Sequence, residues 1–186
     1  MRANRLTGFL FVVLAAAPAS ARAEEYAIDP MHTAVSFKIS HLGLSWTHGR
    51  FNDVSGGFVL DGDRASFVLN IKPESVDTGN AKRDEHLRSP DFFNVKQFPG
   101  LTFKSTAVKP VKDGYEVTGD LTLHGATKPV TFTLQGGRKG EFPKNVQRTG
   151  YSTELTLKRS EFGMDKMLEA IGDEVRIAIS FEGVKK

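Results

Sequence analysis

The sequence predicts a mainly all-β protein: an antiparallel barrel of about eight strands with one or two short helical segments. Three observations predict it. From Tyr26 on, apolar residues recur at every second position along most of the chain, the period of strands with one apolar and one wet face. Gly, Asp and Pro punctuate these runs at short intervals. No long helical pattern separates neighbouring runs, so the crossovers that parallel strands need are missing. A meander of about eight strands closes readily into a barrel, and closure removes the edges that invite aggregation.

The chain starts MRANRLTGFLFVVLAAAPASARAEE. Arg2 and Arg5 form a basic head, Leu6 to Ala17 an apolar run, and Ala21-Arg22-Ala23 a small-residue cleavage site. Residues 1–23 therefore read as a signal peptide cleaved after Ala23, which sends the chain to the periplasm. The apolar run is too short to cross ~30 Å of hydrocarbon as a helix, so no integral membrane span is expected. Residues 24–186 form one domain of a size that buries a core without cross-links. There is no cysteine, so packing must hold it. Removal of Arg2, Arg5 and Arg22 leaves 22 of the 25 basic residues against 22 acidic ones. A net charge of zero offers no overall drive towards nucleic acid or an anionic membrane, and no nucleic-acid partner is expected.

The strands follow in order. Val35, Phe37 and Ile39 alternate with Ser36, Lys38 and Ser40. Arg50–Leu60 is the next strand. Phe67, Leu69 and Ile71 alternate with polar neighbours, although Val68 interrupts the wet face. Leu101–Val108 follows, with Phe103 on its apolar side. Tyr115, Val117, Leu121 and Leu123 make one strand, and Val130, Phe132 and Leu134 another. Leu155 and Leu157 belong to the next, and Val175, Ile177, Ile179 and Phe181 close the series. Asp61-Gly62-Asp63 and Asp113-Gly114 are hairpin signals. Thr78–Phe93 and Arg159–Ala170 break the alternation, each as a short helix or a long loop.

Eight strands enclose either a packed core or one small ligand. The inward set, Val35, Phe37, Ile39, Phe67, Leu69, Phe103, Leu121, Phe132 and Phe181, is bulky. With fourteen phenylalanines in the chain, rigid aromatic walls also suit an apolar guest.

Long blocks of the sequence resemble the YceI family of periplasmic, lipocalin-like proteins. They are YAIDPMHTAVSFKISHLG, GRFNDVSGGFVLD, SVDTGNAKRDEHLRSPDFFNV, FPGLTFKSTAV, VTGDLTLHGATKPVTF, RSEFGM and IGDEVRIAI, in that order. The resemblance implies an eight-stranded lipocalin-like barrel with a helical element. It implies a lumen for a polyisoprenoid, such as a quinone tail or an isoprenyl carrier, as a ligand rather than a cofactor. It leaves a homodimer open.

The stretch GNAKRDEHLRSPDFF, residues 79–93, concentrates charge. A triad is not readable in it: there is no cysteine and no Gly-x-Ser-x-Gly elbow, and on a helix Asp84 and His86 point about 200° apart. The five histidines show no helical metal-ligand pairing, so no metal is expected. The preferred reading is a rim or fastening made by Arg83, Asp84, His86, Phe92 and Phe93. Asp77, Thr78 or Ser75 caps its helix, and its arginines pair with carboxylates or with backbone carbonyls. Contact with a lipid head group is the second reading. The function expected is a non-enzymatic carrier; an enzyme acting on such a lipid, and a filled barrel acting through its surface, are the alternatives.

Overall fold

A computed structural model describes residues 23–61 and 64–186. The signal segment, apart from Ala23, and the Gly62-Asp63 half of one hairpin signal lie outside the described residues. The strand segments are β1 (Glu24–Ile28), β2 (Ala34–His41), β3 (Ser45–Phe51), β4 (Val54–Leu60), β5 (Ser66–Ile71) and β6 (Val76–Asp77), followed by a helix, α1 (Ala81–Arg88). Then come β7 (Leu101–Val111), β8 (Gly114–Leu123), β9 (Ala126–Glu141), β10 (Gln147–Lys158) and β11 (Ile171–Lys185).

These eleven segments make eight barrel strands. β1 and β2 both pair with β11, so they are two halves of one strand. β3 and β4 return antiparallel to β2 and β1 respectively, and β6 and β5 repeat the division one strand further on. Each remaining strand pairs antiparallel with its sequence neighbour, and β11 meets β1 to close the ring. The predicted barrel is therefore present.

The single strand expected over Arg50–Leu60 is instead broken at Asn52–Asp53. The Ser75 hydroxyl accepts hydrogen bonds from the backbone amides of Asn52 and Asp53 at 3.1 and 2.9 Å. A side chain thus takes donors that a ladder would use. Between β1 and β2, Pro30 has no amide to give. There the Asp29 carboxylate accepts from the Met31 amide at 3.0 Å and caps one 3-10 turn.

One end of the barrel is plugged by aromatic rings. Tyr26 stacks on Phe58 with centroids 4.8 Å apart, and Phe58 also meets Phe67, Tyr151 and Phe181 within 6 Å. All five are buried. Burial pushes the Tyr151 phenol well above its usual pKa, so this plug is uncharged. Rings of this size supply much of the apolar burial in a core.

Helix α1 sits at the other end. Its Ncap is Asn80, whose side chain accepts from the Arg83 amide at 3.0 Å. The expected caps serve elsewhere: Ser75 at the β-break, Asp77 on the Gly79 amide, and Thr78 on Asp84. The helix stops at Ser89 because the residue before Pro90 is pushed out of the helical region. The second irregular stretch, Arg159–Ala170, is a 3-10 turn over Arg159–Phe162 and then a loop.

Candidate functional site

Between the aromatic plug and α1 the barrel is hollow. The cavity holds about 980 Å³, at the upper end for a small-molecule site. Val35, Phe37, Ile39, Phe67, Leu69, Phe103, Leu121, Phe132 and Phe181 all line it. They do so because alternation puts every second side chain of β2, β5, β7, β8, β9 and β11 on the inner face.

Room for the Phe37 ring comes from the adjacent strand. Phe37 is paired directly with Gly49, and a Cβ on Gly49 would lie 2.4 Å from the Phe37 ring tip. The ring therefore lies flat over a bare backbone and leaves the lumen open behind it. Phe51 meets it at a centroid distance of 5.5 Å. Phe51 in turn takes the edge of Phe93 from the segment after α1, at 5.6 Å.

The mouth lies at the α1 end. Exposed residues on its rim come from β2–β3 (His41, Ser45, Trp46, His48) and from α1 and its approach (Asn80, Lys82, Arg83, His86). Among the described residues the lining holds Lys82, Arg83 and Arg159 and no carboxylate. A low-dielectric tunnel thus ends in positive charge.

The residues of the charged stretch divide. Arg83, His86, Phe92 and Phe93 reach the lining; Asp84 does not. Asp84 is buried and accepts from the Thr78 amide at 2.9 Å and from the Thr78 hydroxyl. Arg83 donates to the same hydroxyl at 2.7 Å and to the Thr78 carbonyl at 2.8 Å. Arg88 reaches the carbonyls of Glu74 and Val76 at 2.8 and 3.1 Å. Of the two expected pairings, these arginines take the backbone carbonyls, apart from a loose Arg88–Glu74 approach at 3.7 Å. His86 hydrogen-bonds Asp91 at 3.0 Å and holds that carboxyl below its usual range. Asp84 and His86 therefore serve different partners and do not act as a pair.

Sequence reasoning missed Arg159. It is buried and lines the cavity, yet no carboxylate bonds it. Its guanidinium donates to four carbonyls: Met164 at 2.6 Å, and Lys166, Ile171 and Gly172 each at 2.9 Å. The loop beside the mouth is wrapped around this one side chain. Desolvation lowers its pKa, but arginine keeps its charge in proteins. The available signal was an arginine directly after a period-two run and just before Gly163, whose φ is +74°.

One three-ligand cluster of metal-binding type occurs among the described residues: Asp29, His32 and Glu182. It lies at the plugged end, and Arg148 fills it. The guanidinium stands 2.6 Å from Asp29 and 3.1 Å from Glu182.

A family model described as the YceI-like domain matches residues 26–183. The chain belongs to the YceI family. Protein YceI of Salmonella agona (strain SL483) is 42% identical over 190 aligned positions, covering 98% of each chain. Among solved structures, BcnA of Burkholderia cenocepacia superposes with a TM-score of 0.75 at 25% identity, over 83% of this chain and 98% of that one. A protein of Saccharophagus degradans described as a polyisoprenoid binding domain, implicated in plant cell wall breakdown, shares the fold. Its TM-score is 0.69 at 18% identity, over 87% of this chain and 98% of that one.

Proposed function

We propose that this YceI protein is a periplasmic carrier, not an enzyme, for a long apolar lipid held in the barrel lumen. The lipid class we assign is a polyisoprenoid, such as a quinone tail or an isoprenyl carrier. The observation that carries this reading is the cavity of about 980 Å³ walled by aliphatic and aromatic side chains. A filled barrel would leave no such space. Each five-carbon unit buried contributes roughly 4 kcal/mol gross, at ~0.8 kcal/mol per carbon. Ordering costs reduce this severely, so chain length rather than head-group contact sets the affinity. The family membership, and the description of the Saccharophagus degradans neighbour, support an isoprenoid guest. The basic head, apolar run and Ala21-Arg22-Ala23 support export.

At the mouth, Lys82 and Arg83 with His41, His48 and His86 favour an anionic head group over a neutral one. The test is native mass spectrometry of protein purified from its own cells, followed by titration with polyprenols and polyprenyl phosphates of increasing length. A retained mass of several hundred daltons, and affinity that climbs with each isoprene unit, support the proposal. A bare chain that binds none of them refutes it, and turnover of the added lipid reinstates an enzyme.

A further inference from the structure

An isoprenoid guest leaves one step unexplained: how it passes between the cavity and a bilayer without crossing water. The surface around the mouth offers an answer. Among the described residues, five of the nine exposed large apolar side chains cluster at this end of the barrel: Leu42, Leu44, Trp46, Met167 and Leu168. They stand on two adjacent tips. The first is the β2–β3 hairpin, and the second is the loop that Arg159 organises. The tips are joined by a hydrogen bond from the Leu42 amide to the Ala170 carbonyl at 2.7 Å.

Both tips hold their apolar residues in costly ways. The hairpin turn is closed by the Leu44 amide donating to the His41 carbonyl at 3.0 Å. Its central residues, Leu42 and Gly43, have φ of +54° and +68°. That turn favours Asn-Gly, and a leucine in left-handed backbone is strained. Met167 repeats the pattern, with φ +59°. Leu44, the most exposed of the five, leaves 85% of its surface in water. Strain and exposed apolar surface together at a rim point to a use rather than to packing.

Trp46 stands on the outer face just below the tip. Lys38 and Arg176 flank its ring, at 5.4 and 4.8 Å from its centroid. An amphipathic ring between long cations suits the level of lipid phosphates, with the leucines one layer deeper. Asp165 and Glu169 share the second tip with Lys166, so net charge does not drive the contact. Apolar insertion does, with Lys38 and Arg176 answering the phosphates. Met167 also lines the cavity, so the second tip reaches from the rim to the lumen.

We propose that this rim is a docking surface for a phospholipid bilayer, seated by Leu42, Leu44, Met167 and Leu168 and anchored by Trp46. The inference rests on the lipid-carrier reading for its purpose, yet it is tested apart from it. The protein is mixed with phosphatidylcholine vesicles, and flotation and the emission of Trp46, the single tryptophan of the chain, are followed. Flotation with a blue shift is expected. Leu44→Asp should cut the bound fraction at least tenfold. Leu42→Asn should also weaken docking while raising the melting temperature, because Asn suits the turn; loss of docking then cannot be loss of fold. Polyprenol delivered from cyclodextrin, with no vesicle present, should enter both variants as it enters the parent. Parent protein that does not float, or variants that float equally well, overturns the docking surface. So does a parent dimer that Leu44→Asp splits, since the rim then faces a second copy. Uptake from cyclodextrin that fails in the parent sinks the carrier reading alone, because flotation still decides the rim.

Discussion

The Asp84 carboxylate holds Thr78 by its amide and its hydroxyl, and Arg83 grips the same threonine by its hydroxyl and carbonyl. Neither charge answers the other directly. Both serve to pin the chain where it leaves β6 and turns into α1. The buried Asp84 carries most of the cost when it is lost. Asp84→Ala should destabilise by about 1–3 kcal/mol, the cost of orphaning a buried amide and hydroxyl. Arg83→Ala should cost less, because that side chain is exposed. The double variant should fall short of the sum, since both residues act through Thr78. Thermal melts of the three variants check this. An unchanged melt in Asp84→Ala together with lost lipid binding would show a head-group site instead.

Two phenylalanines on the inner face should behave differently. Phe58 is locked among four rings in the plug, so Phe58→Ala should cost about 3–5 kcal/mol. Phe37 has lumen on one side, so Phe37→Ala should cost roughly half as much without lipid. With saturating polyprenol the gap should narrow, because bound lipid stabilises the parent by an amount that grows with the logarithm of its affinity, and Phe37→Ala forfeits part of that affinity. Gly49→Ala tests the same wall from behind. It should tip the Phe37 ring into the lumen, and should reduce lipid uptake more than stability. Denaturation with and without polyprenol measures all three; equal losses in both conditions would count against a ligand at Phe37.

Arg159 should resist even its conservative replacement. A lysine is a single point donor and does not reproduce a fork that reaches four carbonyls. Arg159→Lys should cost on the order of 3 kcal/mol, since several buried carbonyls lose partners at once. The loop after Phe162 should then exchange its amide hydrogens faster, while the plug around Tyr26 stays protected. Hydrogen exchange read by mass spectrometry separates the two regions.

Acid should loosen the seam between β1 and β11. Hydrogen bonds from Lys139 and Lys185 lower the Glu24 pKa from 4.5 to about 2. Its folded pKa is depressed, so its contribution is complete above the unfolded value and is lost as pH falls from about 4.5 towards 2. Asp29, held below the usual carboxylate range by Arg148, acts in the same direction. Glu24→Gln should therefore be less stable than the parent near neutrality and converge with it in acid. Melts at stepped pH test the convergence; parallel curves would remove Glu24 from the seam.

Most of the barrel wall was legible because period-two alternation is a direct trace of which way a side chain points. Phe37, Phe103 and Phe132 follow from it without further help. The hollow does not follow, because volume depends on how rings tilt, and the tilt of Phe37 is set by Gly49 across the sheet. The breaks inside strands were hidden for a similar reason. They come from the Asp29 and Ser75 side chains competing for ladder amides, and nothing in the alternation announces that. Asn80 lost the cap assignment to its neighbours in the reading because several good cap residues stand together there. Arg159 was passed over since its partners are carbonyls, which every residue carries, so no partner stands out in a sequence.

The join between β1 and β11 sets an order of events. Tyr26, Ala27 and Ile28 pair with Lys185, Val184 and Gly183, and the Lys186 amide reaches back to the Glu25 carbonyl. The β1 half of the closing strand thus waits for residues 183–185, whereas the β2 half finds its partners earlier in β11, at 171–180. A chain made N-terminus first can lay down its hairpins one by one but stays an open, curling ribbon until β11 is in place. Loss of residues 183–186 would strip β1 of its β11 partners and open the seam at the plugged end, while β2 keeps the other half of the seam closed on β11.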